Sequence, residues 1–328
     1  MNFVWLDPAP WIVGFGVLTP AGYGADTLLS SRQPGRPPGD EITLEIGAPL
    51  GDSASGYRRV DRYGMLGLAA ARGALSAAGV DPPPTVDASW GVMFGSSLGC
   101  WESCARFHDD LRHRPIAEMS PALFARTAAS AVTRDVSLAF HLGGPTETFV
   151  SGWTAGVDAV VAAGGTLADG GAERMLAGGI EAPGHRFRRL HVTARRRAGS
   201  EWLPGSLAEA AACVVLAMNE VPGAHRLRSY WRGHDSQERW SLGEALSALQ
   251  PLAIRTIIVA NSTPPGLLAR WRDESGGRPI IDLPGRSGEL GAAGSITAIA
   301  MTCSLDGDSA LVVARGTEGD IKALALSR

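Results

Sequence analysis

Gly144-Pro145-Thr146-Glu147-Thr148-Phe149-Val150-Ser151-Gly152-Trp153-Thr154-Ala155-Gly156-Val157-Asp158-Ala159 reads as a short apolar β run, a tight turn of small residues and the start of an Ala/Val-rich helix. In α/β enzymes this order lifts one side chain out of a sheet and presents it at a helix N-terminus. Trp153 stands at the apex of the turn. An indole is not a nucleophile, so the place built for covalent catalysis holds a side chain that cannot perform it.

The bulk composition leaves the fold to an ordinary apolar core. The chain has 328 residues, 45% hydrophobic and 19% charged, enough for one large or two medium layers of core without disulfides or metal. A net charge of −3 gives no global reason to expect nucleic acid or an anionic lipid surface as partner. Of the four cysteines, Cys100, Cys104, Cys213 and Cys303, only the first two are close, at a spacing that puts them on one face of a helix. Without a second His/Cys pair nearby the reading is packing thiols, with no metal and no cofactor. The opening residues MNFVWLDPAPWIVGFG lack a basic start and a long apolar stretch, so no signal peptide or membrane span is expected and the expected compartment is the cytoplasm.

Further segments repeat the alternation of strand, turn and helix. Trp11 to Gly16 is an apolar run that continues through Val17-Leu18-Thr19-Pro20-Ala21-Gly22 into a turn, and Gln33 to Asp40 is a Pro/Gly-rich surface loop. From Asp61 to Gly79 the residues Leu66, Ala69, Ala70, Ala74, Leu75 and Ala78 follow a 3.6 period, with Gly79 as the stop. Trp90 to Gly99 is a buried strand and glycine turn, Arg174 to Pro183 another strand, and Glu209 to Leu216 a third. Thr256 to Pro265 is a strand that ends in polar residues, Gly291-Ala292-Ala293-Gly294 starts a helix, and Ser309 to Ala314 with Lys322 to Leu326 forms a hairpin around Gly316-Thr317-Glu318-Gly319.

These segments, in this order, resemble the β-ketoacyl synthases of the thiolase superfamily. The elbow is similar to their G-P-x-x-T-x-x-T-x-C-x-S/A-G-x-D-A pattern with Trp153 at the cysteine. Arg59-Val60-Asp61-Arg62 with Gly79-Val80-Asp81, and Arg174 to Ala182, match further family segments. The resemblance covers about the first two thirds of the chain closely and the last third in outline. It implies an α/β, thiolase-like five-layer αβαβα fold of two similar βαβαβαββ halves, over 11–220 and 221–328, the second shortened and the vestigial elbow at 150–156.

The resemblance also identifies what is missing. Family chemistry needs a cysteine to carry the acyl chain as a thioester and two histidines to promote decarboxylation and stabilise an oxyanion. The first histidine corresponds to Asn261, the second to Gly288 or, with a one-residue shift, to Glu289, and the gating phenylalanine to Thr317; no histidine lies beyond His234. No catalytic residue of the family remains. A thiolase-fold enzyme with altered, cysteine-independent acyl transfer or decarboxylation is the alternative, drawing on the polar Ser151, Thr154, Asn261 and Glu289 meeting in one cavity. A stand-alone binding protein for acyl thioesters is a third reading.

Family members dimerise, and the acyl tunnel of one subunit runs to the interface, so a partner without its own reaction still shapes the floor. The chain resembles the degenerate chain length factors of type II polyketide synthases, with Trp153 where those of aromatic pathways carry glutamine, which suggests a divergent branch such as one serving polyene chains. This implies a catalytic ketosynthase as heterodimer partner and an acyl carrier protein reached mainly through it. By position, Leu98, Trp101, Ala105, Phe107 and Leu111 are expected at the tunnel and interface, or else as an ordinary amphipathic helix face. Arg195, Arg196 and Arg197 form a basic run that either docks an acidic carrier protein or is a solvated face.

Overall fold

A computed structural model describes residues 3–30, 44, 57, 59–198, 207–234, 240–305 and 307–328, the side chains of 28, 30, 192 and 194–198 excepted. The loop expected over Gln33 to Asp40 lies outside the described residues.

The strands are β1 (Val4–Trp5), β2 (Trp11–Thr19), β3 (Gly22–Tyr23), β4 (Trp90–Gly95), β5 (Thr146–Phe149), β6 (Arg174–Glu181), β7 (Ala210–Ala217), β8 (His225–His234), β9 (Thr256–Val259), β10 (Ile280–Asp282), β11 (Ser309–Arg315) and β12 (Asp320–Ser327). They are ordered β10-β9-β11-β12-β8-β2-β7-β6-β4-β5, with β1 beside β8 and β3 beside β2. This path contains one pattern twice. In β5-β4-β6-β7-β2 the first three strands are parallel and the last two antiparallel to their neighbours, and β10-β9-β11-β12-β8 repeats both order and sense. Among the described strands the two sets pair through β2 and β8, with Trp11 opposite Arg226 and Ile12 opposite His225.

Alternation along the strands builds three apolar layers. In β7, Ala211, Cys213 and Val215 face an outer cluster with Leu66 and Ala70 of the helix Arg62–Ala77, whereas Ala212, Val214 and Leu216 face a central one. The central cluster holds Val157 and Ala163 of the helix Ala155–Ala168 and Ile296 and Ile299 of the helix Ala293–Ser304. Leu311 and Val313 of β11 face the other way, onto Trp240, Leu242 and Trp271. The result is helix, sheet, paired central helices, sheet, helix, the layering the resemblance implies. Each fully buried Leu or Phe here is worth about 2–3 kcal/mol.

The helix expected over Asp61 to Gly79 runs from Arg62 to Ala77. Asp61 caps it by accepting the Gly64 amide at 3.0 Å, and Gly79 follows with φ +64°. One expectation needs correction. The β run ahead of the elbow is not an apolar core strand, because β5 is the outermost strand of its set; Thr146 and Glu147 are exposed and Thr148 and Phe149 half-buried.

Candidate functional site

Behind β5 the chain turns through Ser151 and Gly152 into a 3-10 turn, Gly152–Thr154, that feeds the helix Ala155–Ala168. Gly152 takes φ +73°, a conformation that L side chains rarely adopt. Gly156 and Gly179 let the helix Ala293–Ser304 approach, since a Cβ on either would stand 2.2 Å from the Ala292 carbonyl oxygen. Trp153 is 8% exposed, its indole packed into the protein rather than offered to solvent.

Polar bonds pin the elbow on both sides of Trp153. Thr154, fully buried, donates its hydroxyl to Asp320 Oδ2 at 2.6 Å. Ser151 Oγ donates to Asp158 Oδ2, and Lys322 Nζ meets the same oxygen at 2.5 Å. Asp158 lies in the first turn of its helix, where the macrodipole favours negative charge. Lys322 is the one lysine in the sequence. In the β8/β12 register, His234 lies directly across from Asp320.

Asn261 and Glu289, two of the positions that the resemblance sets against the family histidines, are bonded to each other. Asn261 Nδ2 donates to Glu289 Oε1 at 3.0 Å and to the Gly291 carbonyl at 2.9 Å. Glu289 also accepts the Ser262 amide at 2.6 Å and the Gly291 amide at 2.7 Å. Both side chains are buried, and desolvation raises the Glu289 carboxyl above the usual range although these donors oppose it. Gly288 contributes only backbone, at φ +77°. Thr317 is exposed in the turn between β11 and β12.

Glu181, at the end of β6, bridges the halves. Its Oε1 accepts the Ser97 amide at 2.7 Å, the Ser97 hydroxyl at 2.6 Å and the Ala292 amide at 3.0 Å, while Oε2 is buried without a partner. Burial pushes its carboxyl up to about 7 in spite of those donors. Gly291 fits between the two carboxylates; a Cβ there would come within 2.5 Å of Glu181 Cγ.

The elbow and the Asn261–Glu289 pair thus occupy one region, but the four polar residues of the alternative reading do not form one set. Ser151 and Thr154 turn to Asp158 and Asp320 instead of to Asn261 and Glu289. Both hydroxyls donate to carboxylates, and Lys322 is held on Asp158 rather than on the Ser151 hydroxyl, so the base-to-hydroxyl bond that activates a nucleophile is not among the bonds of this set.

The segment after β4 begins one residue beyond Ser97. Leu98 is half-buried in the turn, and the helix Trp101–His113 carries Ala105 and Phe107 half-buried, with Trp101 39% and Leu111 44% exposed. Trp101 meets Phe187 edge-on at 5.8 Å, Phe107 lies 5.4 Å from Phe124, and Arg186 donates to the Ala105 carbonyl at 3.0 Å. The segment therefore packs on the helix His185–Ala198. The side chains of Arg195, Arg196 and Arg197, on the last turn of that helix, lie outside the described residues.

Sequence reasoning passed over Asp158, Glu181, Asp320, Lys322 and His234. The lone lysine in an arginine-rich chain was the signal available for Lys322; the others show only through contact or register.

Residues 50–202 match the family described as Beta-ketoacyl synthase, N-terminal domain. Over this segment, somewhat less than half of the chain, the protein is similar to the beta-ketoacyl synthases. It is similar to 3-oxoacyl-(acyl-carrier-protein) synthase 2 of Rhizobium meliloti (strain 1021), with 27% identity over 195 residues, 52% of this chain and 46% of that one. The enzyme of the same name from Staphylococcus aureus is 26% identical over 187 residues, with the same coverage. The chain spans about half the length of the curated relatives it matches. Among solved structures, a type II polyketide synthase acyl-carrier protein in complex with its ketosynthase superposes with TM-score 0.81 at 17% identity, over 97% of this chain and 99% of that one. The ishigamide ketosynthase/chain length factor gives 0.74 at 20% identity, over 97% and 99%. A beta-ketoacyl synthase from Burkholderia phymatum STM815 gives 0.75 at 20% identity, over 98% and 99%. At these identities the structures establish the thiolase-like fold. Among the described residues, no helix is long and apolar enough to cross a membrane.

Proposed function

We propose that the chain is the non-catalytic member of a two-subunit ketosynthase of type II polyketide biosynthesis, a chain-length-factor-like subunit that pairs with an active ketosynthase and shapes its acyl tunnel. The observation that carries this reading is Trp153: a buried indole at the apex of the elbow, with Thr154 and Ser151 tied down on either side of it. A growing acyl chain needs a thiolate there, and no neighbouring residue supplies one.

The surface supports a partner as well. β5 is an edge strand, and Ile116, Phe124, Leu138 and Val150 are 82%, 63%, 70% and 59% exposed. Strand edges and large exposed apolar side chains are features that a partner can cover. One of the similar structures is a ketosynthase/chain length factor, and another is a ketosynthase with its acyl-carrier protein. The carrier protein would be reached mainly through the ketosynthase, with Arg195 to Arg197 as a supplementary docking run.

Native mass measurement after co-expression with a cysteine-bearing type II ketosynthase tests the reading. A stable 1:1 complex that condenses malonyl units, with neither subunit active alone, is the expected result. An acylated adduct on this chain, or condensation by it unaided, refutes it.

A second reading has one observation in its favour: Asn261 Oδ1 is buried without a partner beside a carboxylate, a polar arrangement suited to a small donor ligand. In that case the chain alone would release carbon dioxide from a malonyl thioester, and Asn261→Ala would abolish the release.

A further inference from the structure

Two thiols lie together beside the tunnel segment. Cys100 precedes the helix Trp101–His113 and Cys104 follows one turn later, with Sγ atoms 3.6 Å apart and the Cys104 amide on the Cys100 carbonyl at 3.0 Å. One helical turn sets their Cα atoms about 6 Å apart, inside the span of roughly 4.4–6.8 Å that disulfides bridge. Cys100 has φ −88° and ψ 37° and makes no side-chain capping bond, so the first turn is free of the clamp that would resist closure. Cys100 is buried and borders a cavity of about 160 Å³ lined also by Arg62, Ser103 and Arg106, whereas Cys104 is half-buried and is the thiol open to a small oxidant. The other cysteines lie elsewhere in the fold, Cys213 within β7 and Cys303 in the helix Ala293–Ser304.

We infer that Cys100 and Cys104 form a redox-active dithiol that a peroxide closes into a disulfide across the first turn of the helix Trp101–His113. The Cys104 sulfur attacks one peroxide oxygen and breaks the O–O bond, giving a sulfenic acid and water. The Cys100 sulfur then displaces the hydroxyl, forming the S–S bond, and the Cys100 proton leaves with that hydroxyl as a second water. The dithiol loses two electrons and the peroxide gains them. Cys104, the more exposed of the two, is the first to react, and the buried Cys100, whose thiol desolvation pushes up to about 12, is the resolving group.

Closure has a structural consequence. Cys104 Sγ donates to the Thr127 carbonyl at 3.3 Å, a bond lost on oxidation, so the state of the pair alters how 101–113 is held against 125–130. If the proposed tunnel role holds, oxidation also alters the tunnel wall. That consequence rests on the proposed function; the thiol chemistry does not.

The test uses the purified full chain, reduced and then exposed to hydrogen peroxide, denatured, alkylated and cut after arginine. Both cysteines fall in the peptide 73–106. This peptide should become unreactive to alkylation and about 2 Da lighter, while Cys213 and Cys303 stay alkylatable. In Cys100→Ser the same treatment should leave Cys104 as a sulfenic acid that dimedone captures. A wild-type peptide that remains doubly alkylated, or carries a dimedone adduct with no mass loss, overturns the inference. Because no ketosynthase is present, failure of the thiol chemistry is distinct from failure of the heterodimer reading.

Discussion

Replacement of Glu181 by Gln should flatten the pH dependence of this protein's stability between pH 5 and 7. Glu181 is fully buried, and its carboxyl is pushed from 4.5 up to about 7, chiefly by desolvation. Between those values the folded protein keeps a proton that the unfolded chain releases, so raising the pH favours unfolding. The loss starts above 4.5 and is complete above about 7. At about 1.4 kcal/mol per pH unit it comes to about 3 kcal/mol. Glutamine carries no charge at any pH, so its variant loses this slope. Glu289, also raised, contributes in the same direction, and His225, lowered by burial, in the opposite one. Both remain in wild type and variant, which is why the difference between the two profiles isolates Glu181. Urea unfolding followed by tryptophan fluorescence at pH 5, 6, 7 and 8 gives both profiles. The absolute stability of the variant is not the readout, because the amide leaves a buried donor where Oε2 now has no partner. Parallel profiles would refute the assignment of a proton to Glu181 near neutrality.

Four further outcomes are expected. Trp153→Cys should give a thiol that alkylates but no condensing activity in the isolated chain, because the resemblance sets Asn261 and either Gly288 or Glu289 where the family has its histidines; malonyl-dependent product measured by mass is the check. The Lys322–Asp158 pair, whose side chains are 14% and 27% exposed, should show a coupling of about 1 kcal/mol in a double-mutant cycle of Lys322→Met and Asp158→Asn, between the surface and buried limits; additive effects on urea unfolding would show that it does not hold the elbow. Trp101→Ala or Phe107→Ala should lengthen the products of the reconstituted pair by at least one extension, read by mass, and unchanged lengths would remove these residues from the tunnel. Charge reversal of Arg195 to Arg197 should weaken carrier-dependent turnover about tenfold at low salt and less at high salt; intact turnover removes the docking role.

Much of the fold was legible because its signals are local. Gly144 to Ala159 specifies a turn into a helix by small residues at short spacing, and the period of Leu66, Ala70 and Ala74 marks a buried helix face. An indole at 153 and an amide at 261 were equally legible, since they are facts of residue identity. β5 was misread as apolar because its position at the sheet edge depends on the order of strands, which its four residues do not encode.

What the sequence alone determined, then, is the layered α/β architecture and the indole at the apex of the elbow. Contact between residues far apart was left to the tertiary structure: Asn261 with Glu289 across 28 positions, Asp158 with Lys322 across 164, and Thr154 with Asp320 across 166. The same holds for Glu181, an ordinary carboxylate in the sequence that is held near neutrality because strands and helices from both halves exclude water from it. Hydrogen bonding and periodicity act over a few residues and can be read along the chain; burial and charge pairing are set by whatever the whole fold brings near.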